Sequence, residues 1–175
     1  CETVWIISKS ISTYQYTKIV NSKDPVFQNR LTIQSIQLSF LMTLPALIVL
    51  VLLPSSVFTF IFGEEFYTIK SLLLYMSLAI LSLSVFTIIN HYFSGIGKNK
   101  VNIIASFIGN VVVLVSSLVL IPIWGTIGAA IATSLTFIVM LSYLIYRFLK
   151  QNDSSLNALI PTASSVKSIL QELKN

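Results

Sequence analysis

Few side chains in this sequence are equipped for chemistry, and the most informative is Lys9. It lies in residues 3–20, a stretch of apolar, hydroxyl and tyrosine residues long enough, as a helix, just to cross a bilayer. A lysine at mid-bilayer costs about 2.5–3.5 kcal/mol to insert, so it must face a water-filled cavity or a protein anion. What it offers there is electrostatic: a cation for an anionic substrate group such as a phosphate. The alternative is an interfacial segment in which Lys9 is solvated or snorkels. A second candidate set lies further on, where Ser77, Ser84 and His91 recur every seven residues, with Thr87 and Ser94 on the same side and Asn90 beside them. This narrow polar stripe either lines a cavity or bonds helix to helix. His91, near one end of its span, is placed for proton exchange or is simply an interface residue. Gln34 and Gln37 point either into a cavity or into headgroups. The candidate substrate-binding residues are therefore Lys9, Gln37, Asn90 and His91.

No paired carboxylate falls within an apolar stretch, and there is one His and one Cys, so the sequence offers neither a general acid–base pair nor a Cys/His metal set. The expectation is a protein that is not an enzyme and needs no cofactor.

The elements that must position these residues follow from composition. Of 175 residues, 55% are hydrophobic and 10% charged, against about 25% charged in an ordinary soluble domain. The mean hydropathy is +0.86. Such a chain cannot clothe a soluble globule, and the expectation is an all-α integral membrane protein. Charge is absent over 31–63, over 71–97 apart from His91, and over 101–146. These stretches place spans near 33–61, 69–93, 101–121 and 126–149, the last two divided at Pro122-Ile123-Trp124-Gly125, with 3–20 as a fifth. Pro45 and Pro54 should kink the first long span. The fold class is thus a bundle of four to five transmembrane helices, residues 1–150, followed by a tail, 151–175. In that tail Val166, Ile169, Leu170 and Leu173 have the spacing of an amphipathic helix.

The remaining charges alternate. Lys18, Lys23 and Arg30, then Lys98 and Lys100, then Arg147 and Lys150 mark one side, whereas 62–70 carries Glu64, Glu65 and Lys70. By the positive-inside rule the first group is cytoplasmic, which makes the protein a multi-pass cell-membrane protein with a cytoplasmic C-terminus. The net charge of +5 is then a record of topology, and nucleic acid is not an expected partner. Cys1 could suit a lipidated start, but the apolar Val4-Trp5-Ile6-Ile7 follows directly, and the expectation is a chain that begins partway into a larger membrane protein.

Three segments in order carry a family resemblance: Phe62-Gly63-Glu64-Glu65-Phe66, Ser94-Gly95-Ile96-Gly97-Lys98-Asn99-Lys100, and the run from Ile121-Pro122-Ile123-Trp124-Gly125 through Gly128-Ala129-Ala130-Ile131-Ala132-Thr133. Together they resemble the C-terminal part of polysaccharide-biosynthesis flippases, the oligosaccharide-lipid transporters of the multidrug/oligosaccharidyl-lipid/polysaccharide exporter superfamily. Ser8 and Thr17 depart from that pattern, standing where the family often has proline. The resemblance implies a two-lobed, alternating-access transporter of which this chain is most of the second lobe. Its partners would be the lipid bilayer, a polyprenyl-linked oligosaccharide and an N-terminal lobe of the same protein.

Two rival readings stay open. A multidrug or cation exporter of the same superfamily usually has an acidic residue in the membrane interior, and none lies in these spans. A polytopic glycan polymerase or ligase usually has a large outer loop, whereas 62–70 and 122–125 are short. The topology is checked by cysteine labelling of the full-length protein: Glu64→Cys and Lys98→Cys should react from opposite faces of the membrane, and labelling of both from one face would refute the span arrangement.

Overall fold

The computed structural model describes residues 2–64 and 69–159. The chain forms α1 (Glu2–Asn21), α2 (Pro25–Leu52), α3 (Ser55–Phe62), α4 (Ile69–Gly95) and α5 (Asn99–Asn152), then a short 3-10 turn, Leu156–Leu159. There is no strand among the described residues. The amphipathic spacing at Val166–Leu173 falls outside them.

Local chemistry sets the boundaries. Asp24, with extended backbone, accepts the Val26 N–H at 2.9 Å, and Pro25 supplies a helical φ at the first position. Helix α2 therefore starts at residue 25, eight residues before the apolar run expected at 33. At its other end Pro54 forces the preceding Leu53 out of helical geometry (φ −57°, ψ 132°), and the expected single span over 33–61 is two helices, α2 and α3. Pro45 lies inside α2 with its ring exposed; it has no N–H for the Leu41 carbonyl, yet the helix continues through it to Leu52. Gly63, at φ 99°, closes α3 with its N–H on the Thr59 carbonyl at 2.9 Å.

Helix α5 has 54 residues and would be about 80 Å long if straight. It is a hairpin. Gly125 leaves helical geometry at φ 54°, ψ −127°, and Gly109 packs directly against Met140, residues that a straight helix would hold about 47 Å apart. The arms, 99–124 and 126–152, run antiparallel. Pro122 withholds a backbone donor just before the reversal, and Gly128, Ala130 and Ala132 are buried beyond it, small enough for backbone to lie on backbone.

Helices α2, α4 and α5 are long and apolar enough to cross a membrane; α1 has the length but not the hydropathy. With α5 counted as two arms, the fold is the all-α membrane bundle of four to five helices that composition implied. Helix α4 is its hub, packing against α1, α2, α3 and α5. The tightest packing lies at one end, hereafter the base, where Tyr92 meets Phe93 and Phe148 edge-on at 5.3 and 5.0 Å between centroids, amid buried Ile19, Ile36, Ile88, Ile89 and Leu144. Tyr92 Oη donates to Asn152 Oδ1 (3.0 Å) and accepts from Gln151 Nε2 (3.3 Å), while Lys98 Nζ donates to Gln151 Oε1 (3.0 Å). Past α5, Asp153 adopts a left-handed turn and the chain straps across to α2: Asn29 Nδ2 donates to Ser154 Oγ (3.2 Å) and Gln37 Nε2 to the Ala158 carbonyl (2.9 Å).

The hairpin gives a stability prediction. A methyl at Gly128 would run into the Leu120 carbonyl, which is backbone and cannot swing aside. Gly128→Ala should destabilise the bundle by about 1–3 kcal/mol, read as a lower unfolding midpoint in detergent. Gly97→Ala, at an exposed loop with nothing within 4 Å of the added carbon, should cost only its backbone strain, φ being +76° there.

Candidate functional site

Helix α1 presents two opposed faces. Ser8, Ser12, Gln15 and Ile19 follow the spacing of one helix face, and all four are fully buried. Lys9, Ser10, Thr13, Tyr14, Tyr16, Thr17 and Lys18 are exposed. Both faces are polar, which is why α1 falls short of the hydropathy of a span.

The buried face is a hydrogen-bonded seam against α2. Ser8 Oγ pairs with Ser39 Oγ at 2.8 Å and with Thr43 Oγ1 at 3.2 Å. About two turns toward the base, Gln15 Nε2 donates to Thr32 Oγ1 at 2.9 Å, and that hydroxyl donates to the Gln28 carbonyl at 2.7 Å. Gln15 Oε1 is enclosed without a hydrogen-bond partner. Sequence reasoning did not single out this seam. Its signal was present in the spacing of Ser8, Ser12 and Gln15, but hydroxyl residues on the other faces of α1 hid the pattern.

The exposed face carries hydroxyls that fold back on their own helix: Ser10 onto the Ile6 carbonyl, Thr13 onto Lys9 and Thr17 onto Tyr14, at 2.9, 2.9 and 2.7 Å. This satisfies the donors but leaves oxygen lone pairs, two tyrosines and the Lys9 stem and ammonium on the surface. Lys9 is exposed there, about two helical turns from the base-proximal Tyr16.

Of the other sequence candidates, His91 is half-buried, with its ring 5.7 Å from that of Tyr16 and its Nδ1 enclosed without a hydrogen-bond partner. Lys9 and Tyr16 are seven residues apart on one flank of α1, so Lys9, Tyr16 and His91 lie along the same α1–α4 joint, with about 10 Å of helix rise between the lysine and the ring pair. Asn90 is half-buried, and its carbonyl accepts from Asn102 Nδ2 at 2.8 Å. Gln37 stands apart from the set. It is buried and its amide N–H holds the strap at Ala158, which makes it a joint between α2 and the chain beyond α5.

The stripe on α4 is largely self-satisfied. Ser77, Ser84 and Thr87 donate to the carbonyls of Leu74, Leu81 and Leu83, and Ser94 accepts from Asn102 Nδ2 at 2.9 Å. The small residues of α5 do pack helix on helix, leaving between the arms a shallow groove of about 370 Å³ walled by Ser106, Gly109, Asn110, Thr133 and Met140. Among the described residues no three His, Cys, Asp or Glu side chains converge to hold a metal.

With this geometry in view, comparison with known proteins is informative. Residues 5–171 match the sequence model of a family described as lipid II flippase MurJ. The fold is similar to a solved structure titled "Lipid II flippase MurJ, inward closed conformation", with a TM-score of 0.73 and 20% identity. That alignment covers 96% of this chain and 37% of the other, so the chain spans little more than a third of that transporter's length. No curated protein matches.

The seam yields a prediction of modest size. Ser8→Ala removes both hydroxyl pairings between α1 and α2, and interhelical hydrogen bonds in membrane proteins average about 0.6 kcal/mol with a maximum near 1.7. The variant should lose stability within that range in a detergent unfolding titration. Gln15→Leu, of similar volume and without the partnerless oxygen, should be close to neutral.

Proposed function

The chain belongs to the MurJ lipid II flippase family, and from that premise we propose that it forms part of the second lobe of a transporter that carries a lipid-linked glycan precursor across the cell membrane by alternating access. It is an all-α membrane protein of the superfamily that the sequence resemblance indicated. Within that superfamily the family model that matches is that of the lipid II flippases, and nothing in the match supports the narrower polysaccharide-biosynthesis branch. The proposed substrate is accordingly lipid II, a lipid-linked peptidoglycan precursor.

One observation carries the reading: the outward face of α1. A helix packed in a membrane bundle between α2 and α4, yet exposing Lys9, Ser10, Thr13, Thr17 and two tyrosines, is unsuited to acyl chains. Water or another part of the protein must cover it. In a two-lobed carrier the surface that meets these terms is the wall of the central cavity, facing the first lobe. Lys9 is then the cation that meets the diphosphate of the substrate as the headgroup passes, at a depth where an ammonium is poorly screened and its attraction correspondingly strong. His91 and Tyr16 extend that wall toward the base.

Orientation follows from the base. Lys18, Lys23, Arg30, Lys98, Lys100, Arg147 and Lys150 gather there, whereas Glu64 and Lys70 lie toward the other end. The base is the cytoplasmic end, and the described chain finishes on that side.

The test is flipping of lipid II in vesicles containing the full-length protein. Lys9→Ala should reduce the rate about tenfold, the equivalent of 1.4 kcal/mol, while Lys9→Arg should keep most of it. Transport at the wild-type rate by both variants would remove Lys9 from the site. Faster flipping of a polyprenyl-linked oligosaccharide than of lipid II would return the protein to polysaccharide biosynthesis.

A further inference from the structure

Tyr16 of α1 and His91 of α4 form a ring pair at the joint between the two helices, with centroids 5.7 Å apart and planes inclined at 56°. The inclination is too steep for face-to-face stacking, so the imidazole does not cover the tyrosine ring, which is 39% exposed. The pair is fixed from behind. Gly95, without a side chain, lets α1 close on α4: a carbon added there would fall 2.7 Å from the Ile19 side chain and 3.6 Å from Tyr16 Cδ2. Packing therefore sets the position of the ring before any ligand arrives.

The surroundings of the pair are polar and neutral. His91 Nδ1 is enclosed with no hydrogen-bond partner. An N–H there would go unanswered, so the favoured tautomer carries its proton on Nε2 and donates from that side of the ring. About one turn from each ring stand Thr13 and Thr87. Their hydroxyls already donate to the Lys9 and Leu83 carbonyls, at 2.9 and 2.7 Å, so what they offer a ligand is lone pairs. No carboxylate occurs in residues 9–21 or 84–95. Lys18 is two residues from Tyr16 and so about 200° around the helix, on the flank where its ammonium lies 5.7 Å from the centre of the Tyr14 ring.

We infer that the Tyr16–His91 pair is a saccharide platform: a pyranose ring of the lipid-linked glycan lies on the tyrosine face, with its hydroxyls on His91 Nε2 and on the Thr13 and Thr87 oxygens. The inference rests on the reading of the outward face of α1 as the wall of the transport path, and it names the part of the headgroup that the base end of that wall meets. A pyranose has an apolar C–H face and a rim of hydroxyls. An exposed aromatic face ringed by neutral donors and acceptors is its complement. An acyl chain would use the ring and leave the hydroxyls around it unanswered. A phosphate is offered no lysine or arginine on this flank within a turn of either ring. Tyr16 is five residues from the end of α1 and His91 four from the end of α4, so the pair stands within about 8 Å of the base, at the mouth of the path. A platform there selects lipids that carry sugar before the headgroup moves deeper.

The test is a binding titration of the full-length protein in detergent with two probes, a polyprenyl diphosphate carrying a disaccharide and the bare polyprenyl diphosphate of the same chain length. The wild type should bind the glycosylated lipid about tenfold more tightly. Tyr16→Leu keeps an apolar side chain but loses the ring, and should lose most of that preference, as should His91→Leu. Tyr16→Phe keeps the ring and should keep the preference. Three results would overturn the inference: equal affinity of the wild type for the two lipids, a full preference in Tyr16→Leu, or an equal fall for both lipids in that variant, the mark of a role confined to packing α1 on α4. Flipping is measured separately in vesicles. No flipping with the preference intact would end the transport reading and leave the saccharide site, whereas flipping without the preference would end the saccharide site alone.

Discussion

Everything in this lobe turns on how a helix that is polar on two faces is kept inside a membrane bundle. Among the described side chains of helix α1, three of the four that are fully buried, Ser8, Ser12 and Gln15, are polar, and Ile19 is the fourth. Ser8 and Gln15 hydrogen-bond to α2, while the buried Ser12 folds its hydroxyl back onto the Lys9 carbonyl. In lipid there is no hydrophobic drive to bring helix to helix, because acyl chains are as apolar as leucine, so close contact and hydrogen bonds must do it. Small hydroxyl side chains supply both. The seam thereby allows the opposite face to carry Lys9 and its hydroxyl neighbours, which no lipid-facing helix would tolerate.

The rest of the bundle supplies what α1 lacks. Helix α4 takes its partners on several sides, and α5 doubles back so that its two arms form one rigid unit against it. The outer surface of the first arm, with Ile103, Phe107, Leu114 and Leu118 all more than 60% exposed, is suited to acyl chains. The bundle therefore has an apolar side and a polar side, and that asymmetry, more than any single residue, gives the chain a direction in the membrane plane.

How much of this was legible in the sequence divides along physical lines. The fold class was legible because a 10% charge content is incompatible with a soluble surface, and the reversal in α5 because Pro122 and Gly125 are residues whose backbone limits are local. The break at Pro54 was only half legible. The proline was visible, but whether the chain bends or ends there depends on Leu53 adopting ψ 132°. The site was less legible because its contacts are long-range. Gln37 looks like a cavity amide from its own neighbourhood, yet its partner is a carbonyl 121 residues away. Ser8 and Gln15 read as part of a generally polar segment, and only the position of α2 sorts the buried row from the exposed one. The family within the superfamily was harder to read, since the motifs at 94–100 and 121–133 lie at helix junctions and carry no substrate contact of their own.

The distribution of ties within the lobe has a mechanical consequence. At the base, Tyr92, Lys98, Gln151 and Asn152 link α4 to α5, and Asn29 and Gln37 fasten the strap to α2. Toward the other end the described links between helices are fewer, the Ser8 hydroxyl with Ser39 and Thr43 and the Ser134 hydroxyl on the Tyr75 carbonyl, and α3 touches little beyond α4. Local opening free energy follows the density of buried contacts, so the base is the stiff end and the α2–α3 junction at Pro54 the compliant one. In the alternating-access carrier proposed above, a lobe must keep its shape at one end while its other end meets and parts from a partner. A bundle whose aromatic core, strap and side-chain bridges all sit at the base, with its proline break and small helix at the opposite end, is built with that division of stiffness already in its covalent sequence.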